Sequence, residues 1–266
     1  MISVIGIGNA ASAIASKFAD LPQYEVYTMN SKVEKNSKTQ FKLNTYDTPE
    51  EYEKNAPRVK KFLKNLKDHV QVFVVGSSLS SIYTLGVLEQ IREKQLDVFY
   101  IKPDIELLTG VPRLVENTTF GVLQEYARSG LFKNLTIFSN ENIERVHSEI
   151  NLKEYYSILN ETVYSCVHYL NYFAHTEPHI GNVSKPSNIN KIRAVSLLDM
   201  KRLEEKWLFD LDTERELCYY MCINEKRLES ETGLHKRLVD IPDFGFCVAH
   251  TNAIQQQKTL DKFDQE

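Results

Sequence analysis

Two stretches of this chain pass from an apolar, β-branched run through glycine directly into a helix-forming segment. They are "ISVIGIGNAASAIASKFA" (2–19) and "VQVFVVGSSLSSIYTLGVLEQI" (70–91). Strand, tight turn and helix, repeated along a chain, leave few architectures open. The strands lie parallel and the helices cross over on the faces of the sheet. Such a turn also aims backbone N–H groups at one point, where an anion is held.

The remaining segments extend that pattern. "YEVYTMN" (24–30) alternates as a second strand, and residues 31–48 are polar and aperiodic, which predicts a loop. Residues 49–66 predict a helix kinked or restarted at Pro57. A strand over 70–76 leads to a helix over 80–94, and a strand over 97–104 is stopped by Pro103. "FGVLQEYARSG" (120–130) predicts a helix closed by Gly130, and "NLTIFSN" (134–140) a further strand. Residues 152–175 predict one long helix, with Tyr156, Leu159, Val163, Val167, Leu170 and Phe173 at three- and four-residue intervals. "WLFDLD", "ELCYYMCI" and "FGFCVAH" look like later antiparallel strands. The expected fold is α/β: a doubly wound, mostly parallel sheet with a long central helix and a small, shortened second α+β module. The expected organisation is a nucleotide-binding part over 1–176, a connector and reduced C-terminal module over 177–254, and a flexible tail over 255–266.

Composition narrows the function classes. A net charge of −4 over 266 residues offers no general nucleic-acid surface. The lysines of "RVKKFLKNLK" (58–67) read as the solvated face of an amphipathic helix. No apolar run approaches the roughly 20 residues needed to span a bilayer. The N-terminus lacks the basic start of a signal peptide, so the mature protein is expected to begin here and to be cytoplasmic. Four cysteines (166, 218, 222 and 247) are too few for a disulfide scaffold and lack zinc spacing, so reduced, mostly buried thiols are expected.

Two turns are the candidates for chemistry. Gly6, Gly8, Asn9 and Ala10 follow the first strand. The third glycine of a dinucleotide fingerprint is replaced by Ala11, and Asn30 stands where an acid would hold a ribose. Gly76 followed by Ser77, Ser78, Ser80 and Ser81 offers hydroxyls and backbone N–H groups to phosphate. A serine in left-handed geometry there would cost roughly 1–2 kcal/mol. The same stretch is equally satisfied by Ser80 or Ser81 capping a helix over 82–94. There is no P-loop and no Gly-x-Ser-x-Gly elbow. His175 and His179 are four apart, but Pro178 interrupts the helix that would align them on a metal. "FDLDTERE" (209–216) lacks the glycine of a calcium loop and reads as a surface turn.

In order and spacing, residues 1–200 resemble the tubulin/FtsZ family of GTP-binding, filament-forming proteins. "SVIGIGNAASAIASKF" resembles the family's first glycine loop, and Asn30 lies at its Asn-Thr-Asp loop. "VVGSSLSS" lies where the family carries Gly-Gly-Gly-Thr-Gly-Thr/Ser-Gly. "FGVLQEYARSGLFKNLTIFSNENIERV" resembles the following helix and strand. Tyr156 and Asn160 match the aromatic and amide that hold the guanine base at the start of the family's central helix. "PSNINKIRAVSLL" (186–198) resembles the loop that reaches the next subunit's nucleotide. There Asn188, Asn190 and Arg193 stand in place of Asn-x-Asp-x-x-Asp. The resemblance implies GTP or GDP as ligand, with Mg2+ as an expected companion, and the chain itself as partner in a homo-oligomer or filament. Without the two acids it implies weak or lost hydrolysis, and Arg193 is available to pair with phosphate. Two alternatives accompany it: a nucleotide-free pseudo-GTPase acting as an interaction protein, and a Rossmann-type NAD(P) oxidoreductase.

Overall fold

The structure is a computed structural model that describes residues 1–147, 150–177, 186–199, 202, 204–222, 226, 244–253 and 255. The first half alternates as the sequence predicts: β1 (Ile2–Ile7), α1 (Asn9–Ser16), β2 (Tyr24–Asn30), β3 (Gln40–Lys42), α2 (Pro49–Lys54), β4 (His69–Val75), α3 (Tyr83–Gln90) and β5 (Gln95–Lys102). Then follow α4 (Val111–Arg128), β6 (Asn134–Ser139), α5 (Asn140–His147), α6 (Tyr155–His175), β7 (Ile192–Asp199), β8 (Glu204–Trp207), β9 (Glu216–Cys222) and β10 (Phe244–Thr251).

These strands form one sheet in the order β3-β2-β1-β4-β5-β6-β7-β10-β9, with β8 on β7. Strands β1 to β7 run parallel, while β8 and β10 run antiparallel to β7, and β9 antiparallel to β10. The expected antiparallel strands are therefore present, and among the described residues they extend the parallel sheet and build no second one. Continuous apolar strands such as "VFVV" are what a sheet covered on both faces requires. One face is covered by α2, α3 and α4, through Tyr52, Val87, Leu88, Phe120 and Leu123. The other is covered by α1, α5 and α6, through Ile14, Ile143, Leu159, Val163 and Val167. Gln71 of β4 and Asn171 of α6, both buried, exchange amide hydrogen bonds of 2.6 and 2.9 Å across this second face.

Several elements differ from expectation for local reasons. The loop over 31–48 contains β3, whose pairing with β2 (Thr28 opposite Gln40) is a long-range contact that no local pattern encodes. The helix expected over 49–66 stops at Lys54. It begins with a capping box between Thr48 and Glu51, and Pro57 then removes a donor and bars helical backbone at Ala56. Residues 59–66 make turns that bury Val59, Leu63 and Leu66 and leave the lysines in solvent. Helix α3 ends at Gln90, whose side-chain amide bonds the carbonyl oxygens of Gly86 and Pro57 and whose oxygen accepts from the Val59 N–H. Helix α4 begins nine residues before Phe120, with Pro112 in its first turn, and Gly130 after its end has φ 82° as expected. The "WLFDLD" segment is strand only to Trp207; Leu208 and Phe209 turn into the core. Along α6 the apolar line starts at Leu159, since Tyr156 is 73% exposed.

The four cysteines are free thiols. Burial pushes those of Cys166 and Cys247 up to about 12, and those of Cys218 and Cys222 upward as well. No helix among the described residues is long and apolar enough to cross a membrane.

Candidate functional site

The strand order reverses between β1 and β4, whose helices α1 and α3 leave to opposite faces of the sheet. At such a switch point, beyond the strand C-termini, open α/β sheets take their ligands. Both candidate turns end there. Gly6 closes on the start of α1 so tightly that a Cβ would fall 2.6 Å from the Ala11 carbonyl oxygen and the Ser12 Cα. Gly8 has φ 93°, and a Cβ on it would fall 2.6 Å from Ser80 Oγ. The glycine loop and the serine loop thus face one another at the distance that a bare backbone allows. Asn9, exposed, exchanges hydrogen bonds with Ser31 just past β2 (3.2 and 3.3 Å), and Ala10 is exposed beside it. Asn30 Oδ1 accepts from the Lys32 N–H at 3.0 Å, which shapes the β2 turn.

The serine loop is built from beneath. Ser77 has φ 62°, the only non-glycine residue with positive φ among the described residues. Beneath it lies Glu116, a carboxylate of α4 with no exposed surface, whose ionised form the Ser77 backbone N–H favours. Glu116 also accepts from Tyr100 Oη (2.6 Å) and pairs with Lys102 Nζ (3.2 Å), which lies 4.1 Å from the Phe120 ring centre. Burial raises the carboxyl, while the Lys102 charge and these hydrogen bonds favour its ionised form. A Cβ on Gly76 would collide with Glu116 Oε2 at 1.9 Å, so glycine is required at that step. Ser78 and Ser80 share a hydroxyl hydrogen bond of 2.8 Å, and Ser81 Oγ donates to the Ser78 carbonyl at 2.7 Å. The capping alternative does not hold. A 3-10 turn over Leu79–Ile82 precedes α3, and neither Ser80 nor Ser81 caps it through its side chain.

The first turn of α6 stands at this same end of the sheet. Burial raises the Tyr155 hydroxyl, and Glu144 of α5 and Asp104 beyond β5 add to the effect. Tyr156, next along, is exposed, with its ring 5.2 Å from that of Tyr155. Asn160 is half-buried one turn further on, and its amide has no hydrogen-bond partner among the described residues.

The turn before β7 lies at the opposite end, by the strand N-termini. The Ser187 N–H and Asn190 Nδ2 donate to Glu216 of β9 at 2.9 and 2.5 Å, and Asn188 is exposed beside them. The Asn190 hydrogen bond, then that of Ser187, lowers the Glu216 carboxyl. Arg193 is committed inside the chain: its Nε donates to Thr136 Oγ1 at 2.5 Å, within the row Thr136, Arg193, His250 on adjacent strands. It does not lie in the switch-point crevice.

Sequence reasoning missed Glu116 and Glu216. Glu116 carried a signal, because an acid lies in the inward stripe Glu116, Phe120, Leu123, Ala127 of an amphipathic helix. Glu216 carried none, since its contact depends on tertiary pairing. His179 lies outside the described residues. Among those described, no group of three or more His, Cys, Asp or Glu side chains is placed to hold a metal.

No family model and no curated protein matches the sequence. Solved structures do match the fold. FtsZ of M. jannaschii, in an empty dimer, superposes with a TM-score of 0.68 at 13% identity, covering 94% of this chain and 87% of that one. CetZ2 of Haloferax volcanii, in a GTPγS-bound protofilament, gives 0.69 at 10% identity, covering 96% and 94%. TubZ of Bacillus thuringiensis serovar israelensis, in a GTPγS-form protofilament, gives 0.65 at 11% identity, covering 94% and 87%. The chain has the tubulin/FtsZ-like fold.

Proposed function

We propose that the chain is a divergent tubulin/FtsZ-like protein that binds GTP or GDP and associates with itself head to tail, in the cytoplasm. The observation that carries the reading is the approach of Gly8 to Ser80 at the switch point. A cradle with no room for a Cβ, opening on two helix starts, suits a phosphate chain. Gly6, Gly8, Asn9, Ala10, Gly76 and the serines 77, 78, 80 and 81 would line the phosphates, Asn30 the ribose side, and Tyr156 and Asn160 the base. Mg2+ enters as the ion that accompanies a triphosphate. The nucleotide part is read as residues 1–176, followed by a reduced C-terminal part.

Head-to-tail association is supported by position. The 187–190 turn lies at the end of the sheet opposite the crevice, so stacking like ends on unlike ends brings the two together, and such contacts propagate openly. Hydrolysis is expected to be slow, because Asn190 and Arg193 stand where the family carries acids. Glu216, which does carry a charge there, is occupied by Ser187 and Asn190. One observation favours the nucleotide-free alternative: the buried Glu116 carboxylate packs directly beneath the serine loop, against Gly76. The oxidoreductase alternative has Asn30, with no carboxylate, at the end of β2.

The test is a thermal-shift titration with GTP, GDP, ATP and NAD(H) in the presence of Mg2+, followed by light scattering. A guanine-specific rise in midpoint and GTP-dependent scattering are expected. A flat response to all four ligands overturns the binding reading, and a strict monomer with every nucleotide overturns assembly.

A further inference from the structure

Glycine normally supplies the left-handed step in a loop that approaches phosphate. Here the step is made by Ser77. A strained residue persists only where its surroundings determine it. What surrounds Ser77 is a buried carboxylate, held by Tyr100 and Lys102 and packed so close beneath Gly76 that no side chain fits between. We infer that Glu116 is a positioning residue: its carboxylate captures the Ser77 N–H, fixes the left-handed turn without glycine, and so sets Ser80, hydrogen-bonded to Ser78, against Gly8.

The inference rests on the nucleotide-binding reading for its consequence, though not for its geometry. The captured N–H points inward, and the Ser78–Ser80 hydroxyl pair, which shares one proton within itself, is left with the other for the ligand. Lys102 balances the carboxylate, so the anchor does not repel an anion by a net charge. The carboxylate carries out, from below the loop, what a run of glycines does within it.

The experiment is a coupling measurement. Glu116→Met is combined with Lys102→Met, so that no buried ammonium is left unpaired. GTP affinity is then measured by calorimetry with Ser77 and with Ser77→Gly. Removing the pair should weaken binding about tenfold with Ser77, the loss expected for one charge-assisted hydrogen bond. It should weaken binding by less than about threefold with Ser77→Gly, because glycine holds the turn unaided. An equal loss in both backgrounds, or no loss in either, overturns the inference. Should the variants fail to fold, hydrogen exchange of the wild-type Ser77 amide decides. Strong protection in the ligand-free protein supports capture by Glu116, and exchange at the rate of an open loop overturns it. The same exchange result separates the two claims if GTP does not bind: a protected amide then leaves the anchor standing and removes only the nucleotide.

Discussion

Gln71 and Asn171 lie 100 residues apart and hold each other through both amide groups, within the apolar contact between β4 and α6. Each amide satisfies the other where water does not reach, which fixes the position of α6 along the sheet. Asn171 Nδ2 also reaches Tyr24 Oη at 3.1 Å. Asn171→Ala leaves a buried amide without its partner, which costs about 1–3 kcal/mol. Urea unfolding should show that loss, and Asn171→Leu with Gln71→Met should recover part of it.

Gly8→Ala is expected to act on the crevice more than on the fold. The new Cβ meets Ser80 and the backbone keeps φ 93°, a strain of roughly 1–2 kcal/mol. The midpoint of unfolding should fall by a few degrees, and the GTP-dependent rise should disappear.

Acid stability should show two windows. Burial, then the Arg193 charge, hold His250 down to about 4 from 6.5. The unfolded chain therefore takes up its proton first, and stability falls as pH drops from 6.5 towards 4. Asp97 is pushed up by burial, but the His69 hydrogen bond, the Arg193 charge and Asn134 outweigh this and hold it at about 2. Its contribution is complete above 3.8 and is lost as pH falls towards 2. Each group contributes on the order of 2 kcal/mol. Unfolding free energy measured against pH should lose the upper step in His250→Phe and the lower step in Asp97→Asn.

Tyr156→Ala separates binding from folding. The side chain is 73% exposed, so unfolding should shift by no more than about 0.5 kcal/mol. GTP affinity should fall about tenfold if the ring stacks on the base. Asn160→Ala should narrow the preference for GTP over ATP in the same assay.

What was legible in the sequence was the alternation, because β1, β4, β5 and β6 are local apolar runs bounded by Gly, Pro or Asn. The two loops at the switch point were legible for the same reason, each glycine following a strand directly. What escaped depended on contacts between distant segments. β3 exists through β2, Arg193 is taken by Thr136, and the 187–190 turn is pinned by Glu216. Ser77 is the instructive case: its residue type argued against a left-handed turn, and the carboxylate that permits one lies 39 residues further along the chain.

The cysteines give the molecule a practical property. With every thiol of the chain raised above its ordinary value and two of them buried, alkylating reagents find almost no thiolate at neutral pH. The wild-type chain is therefore a quiet background for thiol labelling. A Ser78→Cys protein would carry an exposed handle on the loop opposite Gly8, and a dye placed there would report on that loop against the half-buried Cys218 and Cys222 as background.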